Sequence, residues 1–332
     1  MVAAVAVLFA VTASPGASQV IAGPDGPVEF IGLQEWGAQE LFDAIQATAP
    51  GRPFHACAVV MKEELGFAEA AAMASYDLLS RDSYTVVVGV EDSTRVRHRA
   101  AGSESAALPE AWRNMRTVVG DDVRVLRAAA GTLHLRTGFF NGIFNRAGRR
   151  AARMGADPET VDELWDLIDS ADGEEDRLLA HEVLASDSSW SARSIATLVL
   201  SNFMDEDTSW HGLVGSLVDA NYRVSSAAVI MFDRLAAPEM DPVEWTGART
   251  HLSALLDGTN PWVFSEILQL LVATDVDPEF ARQLVRESPD LLLAHVGAEH
   301  ERTREPAVNF LRAISGEDFG TDLEAWTAWI NG

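Results

Sequence analysis

The clearest candidates for covalent chemistry in this sequence are a histidine and a cysteine two positions apart, His55 and Cys57. They lie in the apolar run FHACAVVM, which is typical of a buried β-strand, and residues i and i+2 of a strand point to the same face. A thiol beside an imidazole can act as a nucleophile, and Asp43 or His98 could orient the ring. However, no cysteine-enzyme signature surrounds the pair, and a lone cysteine in an apolar strand usually packs in the core. Core packing is therefore the favoured interpretation, and thiol catalysis is the alternative.

The other reactive side chains show no pattern of a metal or cofactor enzyme. Cys57 is the only cysteine, which excludes a multi-cysteine zinc site and an intramolecular disulfide. The eight histidines show no H-E-x-x-H or comparable ligand spacing, and the glycines form neither a P-loop nor a dinucleotide fingerprint. A nucleophile elbow of the form G-x-S-x-G is also absent. We therefore predict neither a cofactor nor a metal.

The charge of the chain limits the partners that it can bind. Fifty acidic residues face 25 basic ones, for a net charge of −25, and such a surface repels nucleic acid and anionic lipid. One basic cluster stands out, with its members at i, i+3, i+4 and i+7 of one helical face: Arg146, Arg149, Arg150 and Arg153. Residues 157–176 follow with ten acids and no base. The sequence therefore predicts that a basic helix pairs with an acidic helix within the chain, rather than with nucleic acid.

The N-terminal segment is typical of a secretory leader. Its apolar run, residues 2–11, is too short to span a bilayer but suits the hydrophobic part of a signal peptide. Small residues follow, with possible cleavage after Ala13 or Ala22, although a basic start is missing. We predict a signal peptide at 1–22 and a periplasmic or extracellular protein; the alternative is a buried element of a cytoplasmic protein. No later segment approaches transmembrane length.

Residues 23–138 are predicted to form a small mixed α/β domain, in which we recognise no family. The predicted strands are 28–33, 54–61, 84–91 and 94–99, with a closing hairpin around Gly131 at 122–136, and the predicted helices are 36–49, 66–79 and 109–115. In the segment TRVRHR, alternation places Arg95, Arg97 and Arg99 on one face and Thr94, Val96 and His98 on the other. Residues 139–176 are predicted to be a helical connector.

Four related stretches recur in the C-terminal half at spacings of about 30–43 residues, within or near the range for two-helix repeats. They read SDSSWSARSIATLVLSNF, DANYRVSSAAVIMFDRL, DGTNPWVFSEILQLLVAT and EHERTREPAVNFLRAISG. In such repeats, an aspartate with an arginine a few positions on can join adjacent units through ion pairs, and the third stretch lacks the arginine. One helix pair cannot bury its apolar stripe alone, so the units are expected to stack.

The D-x-x-x-R-V-x-x-A-A run at 219–228 resembles the second-helix signature of HEAT repeats. The closing segment AISGEDFGTDLEAWTAWING is similar to the terminal cap of bacterial HEAT-repeat proteins. The resemblance covers residues 177–332. It implies an α-solenoid that binds other macromolecules on a curved surface, and it implies no particular reaction.

The predicted fold class is therefore a two-part α+β chain: a small α/β domain followed by an all-α HEAT-like solenoid with its own cap. The predicted function is a non-catalytic scaffold that binds a protein or peptide on its concave face. The candidate binding residues are Arg193, Arg223, Trp262 and Arg304. Two alternatives stay open. One is a thiol-dependent, hydrolase-like enzyme in the N-terminal domain with the solenoid as recruitment module, and the other is a purely structural module.

Overall fold

The computed structural model describes residues 18–76, 83–136, 145–235 and 240–332. The chain is mostly helical, with a small four-stranded mixed sheet near its N-terminus. The coarse prediction of a small mixed part followed by helices is therefore confirmed. The apolar run and Ala13 of the predicted leader lie outside the described residues, as do positions 139–144 of the predicted connector.

The sheet is built around one strand that is rich in valine. Its strands are β1 (Gln19–Gly23), β2 (Gly26–Ile31), β3 (Glu69–Tyr76) and β4 (Ser83–Val90), in the spatial order β1-β2-β4-β3. β2 and β4 are parallel, and the two outer pairs are antiparallel. β4 lies between two neighbours and is buried on both faces, which explains its continuous apolar sequence. The predicted strands at 28–33 and 84–91 are confirmed.

The two faces of the sheet belong to two different hydrophobic clusters. One face, which includes Phe30 and Val87, is covered by α1 (Ala38–Thr48) and α2 (Cys57–Glu63). The opposite face, which includes Val86 and Val88, belongs to the large cluster that runs through the helices of the C-terminal half. The sheet is therefore the middle layer between a helix pair and the rest of the molecule. The predicted helix at 36–49 is confirmed as α1.

The strand predicted at 54–61 is wrong. This segment is a 3-10 turn, Phe54–Ala56, followed by helix α2. Eight apolar residues in a row fit a buried strand and a buried helix equally well, because neither pattern requires a polar position. Periodicity therefore could not decide between the two.

The helix predicted at 66–79 is also wrong. Residues 69–76 form strand β3, which pairs with β4 along its whole length, and residues 77–79 lie outside the described part of the chain. Alanine favours helices in isolation. Here Ala70, Ala71 and Ala72 are buried in the sheet between its two covering layers, where only small side chains fit, and packing overrides the local preference.

The hairpin predicted at 122–136 is a single helix, α4 (Val123–Arg136). Gly131 lies inside this helix rather than in a turn. A Cβ at this position would lie 2.8 Å from the sulfur of Met154, so glycine allows a neighbouring segment to approach closely. The strand predicted at 94–99 is likewise absent from the sheet, although the segment is extended apart from a short 3-10 turn, Ser93–Arg95.

Helices make up the rest of the described chain. They are α3 (Glu110–Val119), α5 (Arg146–Arg153), α6 (Pro158–Asp169), α7 (Glu174–Ser186), α8 (Trp190–Val199), α9 (Asp207–Leu217), α10 (Tyr222–Leu235), α11 (Arg249–Leu256), α12 (Phe264–Ala273), α13 (Pro278–Glu287), α14 (Asp290–Val296), α15 (Glu301–Ser315) and α16 (Leu323–Asn331). We call helices α7 to α16, residues 174–331, the helical array. The helices predicted at 109–115 and around the four arginines are confirmed as α3 and α5.

Two pairs of helices from equivalent positions of neighbouring sequence units lie beside one another within the array. α8 packs against α10, and α12 packs against α15. α4 belongs to the N-terminal part in sequence, but it packs against α10. The sheet, α4 and the array therefore share one continuous core. Within the described residues, no helix is both long enough and apolar enough to cross a membrane.

Candidate functional site

An extended segment of the N-terminal part, residues 93–108, runs along the loops that begin the array's repeated helices. We call this segment the strap. The strap amide of Arg99 donates to the carbonyl of Val218, and the amide of Ala220 donates to the carbonyl of Arg99, at 2.7 and 3.0 Å. Glu104 makes the same two bonds, with the carbonyl of Ser186 and the amide of Ser188, at 3.1 and 2.8 Å. Two successive sequence units therefore hold the strap by one backbone pattern.

The repeated aspartates shape these loops. Asp187 and Asp219 each accept a hydrogen bond from the amide two residues on, at 2.7 and 2.8 Å, which forms the turn before α8 and before α10. Asp187 also accepts from the strap amide of Ala106 at 2.9 Å. A Cβ on Gly102 would lie 1.7 Å from the carbonyl oxygen of Ser186, so the strap backbone touches the array where only glycine fits. The sequence repeat thus corresponds to a repeated contact surface.

Strap arginines pair with carboxylates of successive units. Arg99 bonds to Asp219 at 2.9 Å, Arg97 bonds to Asp257 at 2.5 Å, and Arg95 lies 4.0 Å from Asp290. Later strap residues therefore contact earlier parts of the array, so the strap runs in the opposite direction to the order of the array helices. The predicted alternation of side chains along the strap is confirmed, because the three arginines face the array whereas His98 faces the sheet, 3.2 Å from Glu69.

Asp219 is the centre of a buried ion-pair cluster. Arg193 of the preceding unit donates to both of its carboxylate oxygens, at 2.9 and 3.0 Å, and Arg193 is 1% exposed. Burial alone would raise the pKa of Asp219, but the hydrogen bonds from Arg193, the Asn221 amide and Arg99 outweigh it and lower that pKa. An ion pair between adjacent units is therefore present at this junction. At Asp257 the strap residue Arg97 supplies the cation instead.

Three of the four candidate binding residues are engaged inside the protein. Arg193 is buried at Asp219 and does not reach a surface. The guanidinium of Arg223 stacks on the ring of Trp190, 4.6 Å from its centre, and does not line the cleft described below. Arg304 donates to the carbonyls of Ala298 and Glu299, at 2.9 and 3.1 Å. Arg193 and Arg223 thus join neighbouring units and Arg304 binds the loop before its own helix, so these intramolecular contacts do not support a partner-binding role for the three arginines.

Trp262, the fourth candidate, lies at the rim of an open cleft of about 620 Å³ between the sheet side and the array. Its walls come from α2, β3, the strap, α4, the end of α9, helix α10 and the two loops that precede α10 and α12: Lys62, Glu69, His98, Arg127, Leu217, Asp219, Ala220, Tyr222, Ser225, Ser226, Val229, Ile230, Thr259, Asn260 and Trp262. Trp262 is 44% exposed and Tyr222 is 66% exposed. Two large aromatic side chains therefore stand open to solvent around one cavity.

A charged cluster occupies the sheet side of this cleft. Glu69 accepts a hydrogen bond from Lys62 at 2.7 Å and lies 3.2 Å from the Nε2 atom of His98. Burial would raise the pKa of Glu69, but its bonds to His98 and Lys62 outweigh that effect and the pKa is lowered. Glu69 is thus held as a carboxylate between two basic side chains. Among the described residues, His98 forms no hydrogen bond with a hydroxyl or thiol.

The proposed thiol pair is not assembled. Cys57 begins helix α2, is 2% exposed and lies in an apolar cluster with side chains such as Phe54 and Met61, whereas His55 is exposed. Burial raises the pKa of the Cys57 thiol to about 12. Asp43 bonds to Gln39 rather than to the imidazole. Thiol catalysis at this site is therefore contradicted, because residues i and i+2 diverge once the segment is helical.

We expect the Cys57 thiol of the folded protein to resist alkylation. At pH 8 a pKa of about 12 leaves roughly one thiolate in 10,000, whereas an ordinary cysteine with a pKa near 8.5 is about one quarter ionised. Iodoacetamide labelling followed by mass spectrometry should therefore be at least about 100-fold slower in buffer than in urea. Rapid labelling of the folded protein would contradict the buried assignment.

Comparison of the chain with protein-family models, with curated proteins and with solved structures found no match in any of the three. The cleft therefore has to be interpreted from its own residues. Among the described residues, no three side chains of His, Cys, Asp or Glu are placed to hold a metal ion. What the geometry offers is a concave surface with two aromatic side chains and a basic rim.

Sequence reasoning missed most of this cleft. Lys62, Glu69, Arg127 and Tyr222 are spread over 160 positions and come from four different elements. One signal was available: Tyr222 occupies an outward position at the start of a repeat helix, where a polar residue would be equally stable. The other three carry no local pattern, since only the strap and the sheet bring them together.

Proposed function

We propose that the protein is a non-catalytic scaffold that binds an extended segment of a protein or peptide in the cleft between the sheet and the helical array. The observation that carries this proposal is the exposure of Trp262 and Tyr222 around one cavity. Exposed aromatic side chains are uncommon away from interaction sites, and tryptophan and tyrosine dominate the energetics of known interfaces. They serve here as anchors for apolar side chains of the partner.

The strap supports an extended partner in particular. The loops before α8 and α10 already hold one extended segment of the same chain, through paired backbone hydrogen bonds at Arg99 and Glu104. Recognition of an extended main chain with added side-chain pockets is a general mode of peptide binding. The cleft borders the strap at His98, so a partner segment in the cleft would lie beside a segment that is bound in this way.

The charges of the cleft favour a partner with a carboxylate. Asp219 is fully buried between two arginines, and Glu69 is paired with Lys62 and His98. Arg127 is exposed at the rim and has no ion pair among the described residues. The chain as a whole carries a net charge of −25, so a cation at this rim offers an acidic side chain of a partner a local attraction.

The two alternative functions have less support. The thiol-dependent enzyme loses its nucleophile with the burial of Cys57. The purely structural module requires a molecule without a ligand cleft and with its tryptophans buried, and Trp262 does not fit that requirement. A HEAT-like solenoid remains part of the proposal. The packing of equivalent helices and the repeated turn at Asp187 and Asp219 support it.

A peptide-display selection tests the proposal. Random extended peptides are selected on the folded protein, and the affinities of the winners are then measured by calorimetry. We expect peptides with an aromatic or large aliphatic residue next to an acidic one. The variant Trp262→Ala should weaken them roughly 30-fold or more, because a central aromatic anchor contributes about 2 kcal/mol or more.

Leu178→Ala is the matched control, because Leu178 is also an exposed apolar side chain, 55% exposed, but lies outside the cleft. It should leave the affinities unchanged. Failure to enrich any peptide, or peptides that bind Trp262→Ala and Tyr222→Ala as tightly as the parent, would refute the proposal.

We also propose that the protein is exported. Cleavage after Ala22 would remove residues 19–22 and with them most of β1, whereas cleavage after Ala13 would leave the strand intact. The sheet therefore favours Ala13 of the two sites. The intact mass of secreted protein distinguishes them.

A further inference from the structure

A second concave site differs from the cleft in composition, because its lining is almost entirely basic. It has a volume of about 170 Å³ and lies between the C-terminal part of α4 and helix α5. Its walls are His134, Leu135, Arg146, Arg149, Arg150 and Arg153. The four arginines of the sequence cluster thus face one cavity.

Helix α5 packs against the acidic helix α6, as the sequence predicts. Among the described residues, however, no carboxylate forms an ion pair with any of the four arginines. Asp157 caps its own helix by bonding to Thr160. Residues 137–144, which connect α4 to α5, read TGFFNGIF and contain no acid that could serve instead.

One polar atom in the cluster has no partner at all. The Nε atom of Arg150 is buried and forms no hydrogen bond with the described residues, although leaving a buried donor without a partner is destabilising. Within the described part of the chain, the one side-chain hydrogen bond of the four arginines runs from Nε of Arg153 to the carbonyl of Arg149. Four cations on one helical face also repel one another at i, i+3 and i+4 spacing. The unpaired donor and the repulsion between the arginines both destabilise the protein without a ligand. Such an arrangement is expected where a bound anion relieves both effects.

The size of the site and the charge of the protein select a compact anion. Charges further apart than about 8 Å are largely screened at physiological ionic strength. A small anion in the cavity therefore interacts mainly with the arginines. A nucleic acid or an anionic membrane would also extend over the surrounding surface of a chain with 50 acidic residues, which repels it.

We propose that this cavity binds a compact phosphate group, free or on a small molecule. Guanidinium groups match the oxygens of a phosphate with paired, charge-assisted hydrogen bonds, and arginine is preferred over lysine at such sites. The chain offers four arginines here, and a cavity of about 170 Å³ has room for one or two phosphoryl groups. This site is independent of the proposed peptide cleft.

Calorimetric titration of the full chain with inorganic pyrophosphate tests the proposal. We expect saturable binding that weakens as the NaCl concentration rises. The double variant Arg149→Gln/Arg150→Gln should weaken binding roughly 10- to 100-fold, because each guanidinium contributes charge-assisted bonds. The double variant Arg149→Lys/Arg150→Lys keeps the charge but loses the paired hydrogen-bond geometry. Its affinity for pyrophosphate should therefore lie between that of the parent and that of the double glutamine variant.

Arg116→Gln is the matched control, because Arg116 is an exposed arginine on α3 with no ion pair among the described residues. It should bind pyrophosphate like the parent protein. Thermal unfolding of each variant without ligand shows that the fold is retained. Absence of saturable binding, equal binding by the double glutamine variant, or binding only to vesicles that contain phosphatidylglycerol would overturn the proposal.

Discussion

Replacing Asp219 with alanine should lower the free energy of unfolding by about 3–5 kcal/mol. The carboxylate is fully buried and lies between two guanidinium groups, those of Arg193 and Arg99. Without it, Arg193 stays buried as an uncompensated cation, since its own side chain is 1% exposed. The Asn221 amide also loses its acceptor, and with it the turn that precedes α10. Urea unfolding followed by circular dichroism measures the change.

Two further variants separate the buried ion pair from a general loss of charge. Asp257→Ala removes the equivalent aspartate of the next unit, but its partner Arg97 is 47% exposed, so the expected loss is at most about 1 kcal/mol. The double variant Asp219→Leu/Arg193→Met removes the buried cation together with its carboxylate and leaves only Arg99, 17% exposed, without its partner, so part of the stability should return. Equal destabilisation by Asp219→Ala and Asp257→Ala would show that burial is not the cause.

The same cluster predicts a pH dependence. The pKa of Asp219 is lowered in the folded protein, so its contribution is fully present above the ordinary aspartate pKa of about 3.9. It is lost as the pH falls through the lower, folded pKa. The difference in unfolding free energy between the parent and Asp219→Ala should therefore be constant near neutral pH and shrink in strong acid.

Replacing Glu29 with alanine should lower the free energy of unfolding by about 3–5 kcal/mol, because three partly buried hydrogen bonds lose their common acceptor. Glu29 lies in β2 and is 0% exposed. It accepts hydrogen bonds from the amides of Glu299 and His300, at 2.5 and 3.1 Å, and from the hydroxyl of Tyr84 at 3.1 Å. It thus attaches the sheet to the start of α15, the helix of the fourth sequence unit.

Glu29→Gln and Glu35→Ala are the controls for this change. Glutamine keeps one acceptor oxygen of similar shape, so its effect should be about half as large. Glu35 is exposed and its side chain makes no hydrogen bond to the described residues, so its removal should change stability by at most about 0.5 kcal/mol. Similar losses for Glu29→Ala and Glu35→Ala would contradict the assigned role of Glu29. Differential scanning calorimetry measures all three variants.

Both clusters act on the geometry of the proposed peptide cleft. Asp219 fixes the strap and the loop before α10, while Glu29 fixes the sheet against the array. The cleft walls come from these same parts, so its shape depends on how they are joined. A binding surface on a jointly buried framework loses little conformational freedom when a partner binds, which favours affinity.

Several features followed from the sequence alone, because each leaves a local pattern. The central strand β4 and helix α1 have the composition and spacing of their structures. The sequence predicts ion pairs between adjacent units, and one such pair is present between Arg193 and Asp219. Alternation in TRVRHR correctly separated the arginines of the strap from His98, since an extended chain alternates whether or not it joins a sheet.

Other features were decided only by the tertiary structure, because they depend on which distant segments pack against a residue. The run around Cys57 is equally apolar as a strand or a helix, and its packing under the sheet selected the helix. Gly131 suggests a turn in sequence, but its role is to admit Met154. The cleft and the partners of the repeated aspartates were also not predictable, because the strap that supplies them lies over 100 positions away from Asp219 and Asp257. The sequence thus determined the local elements and their charges, whereas packing between distant segments decided which charges were satisfied and which surfaces were left open.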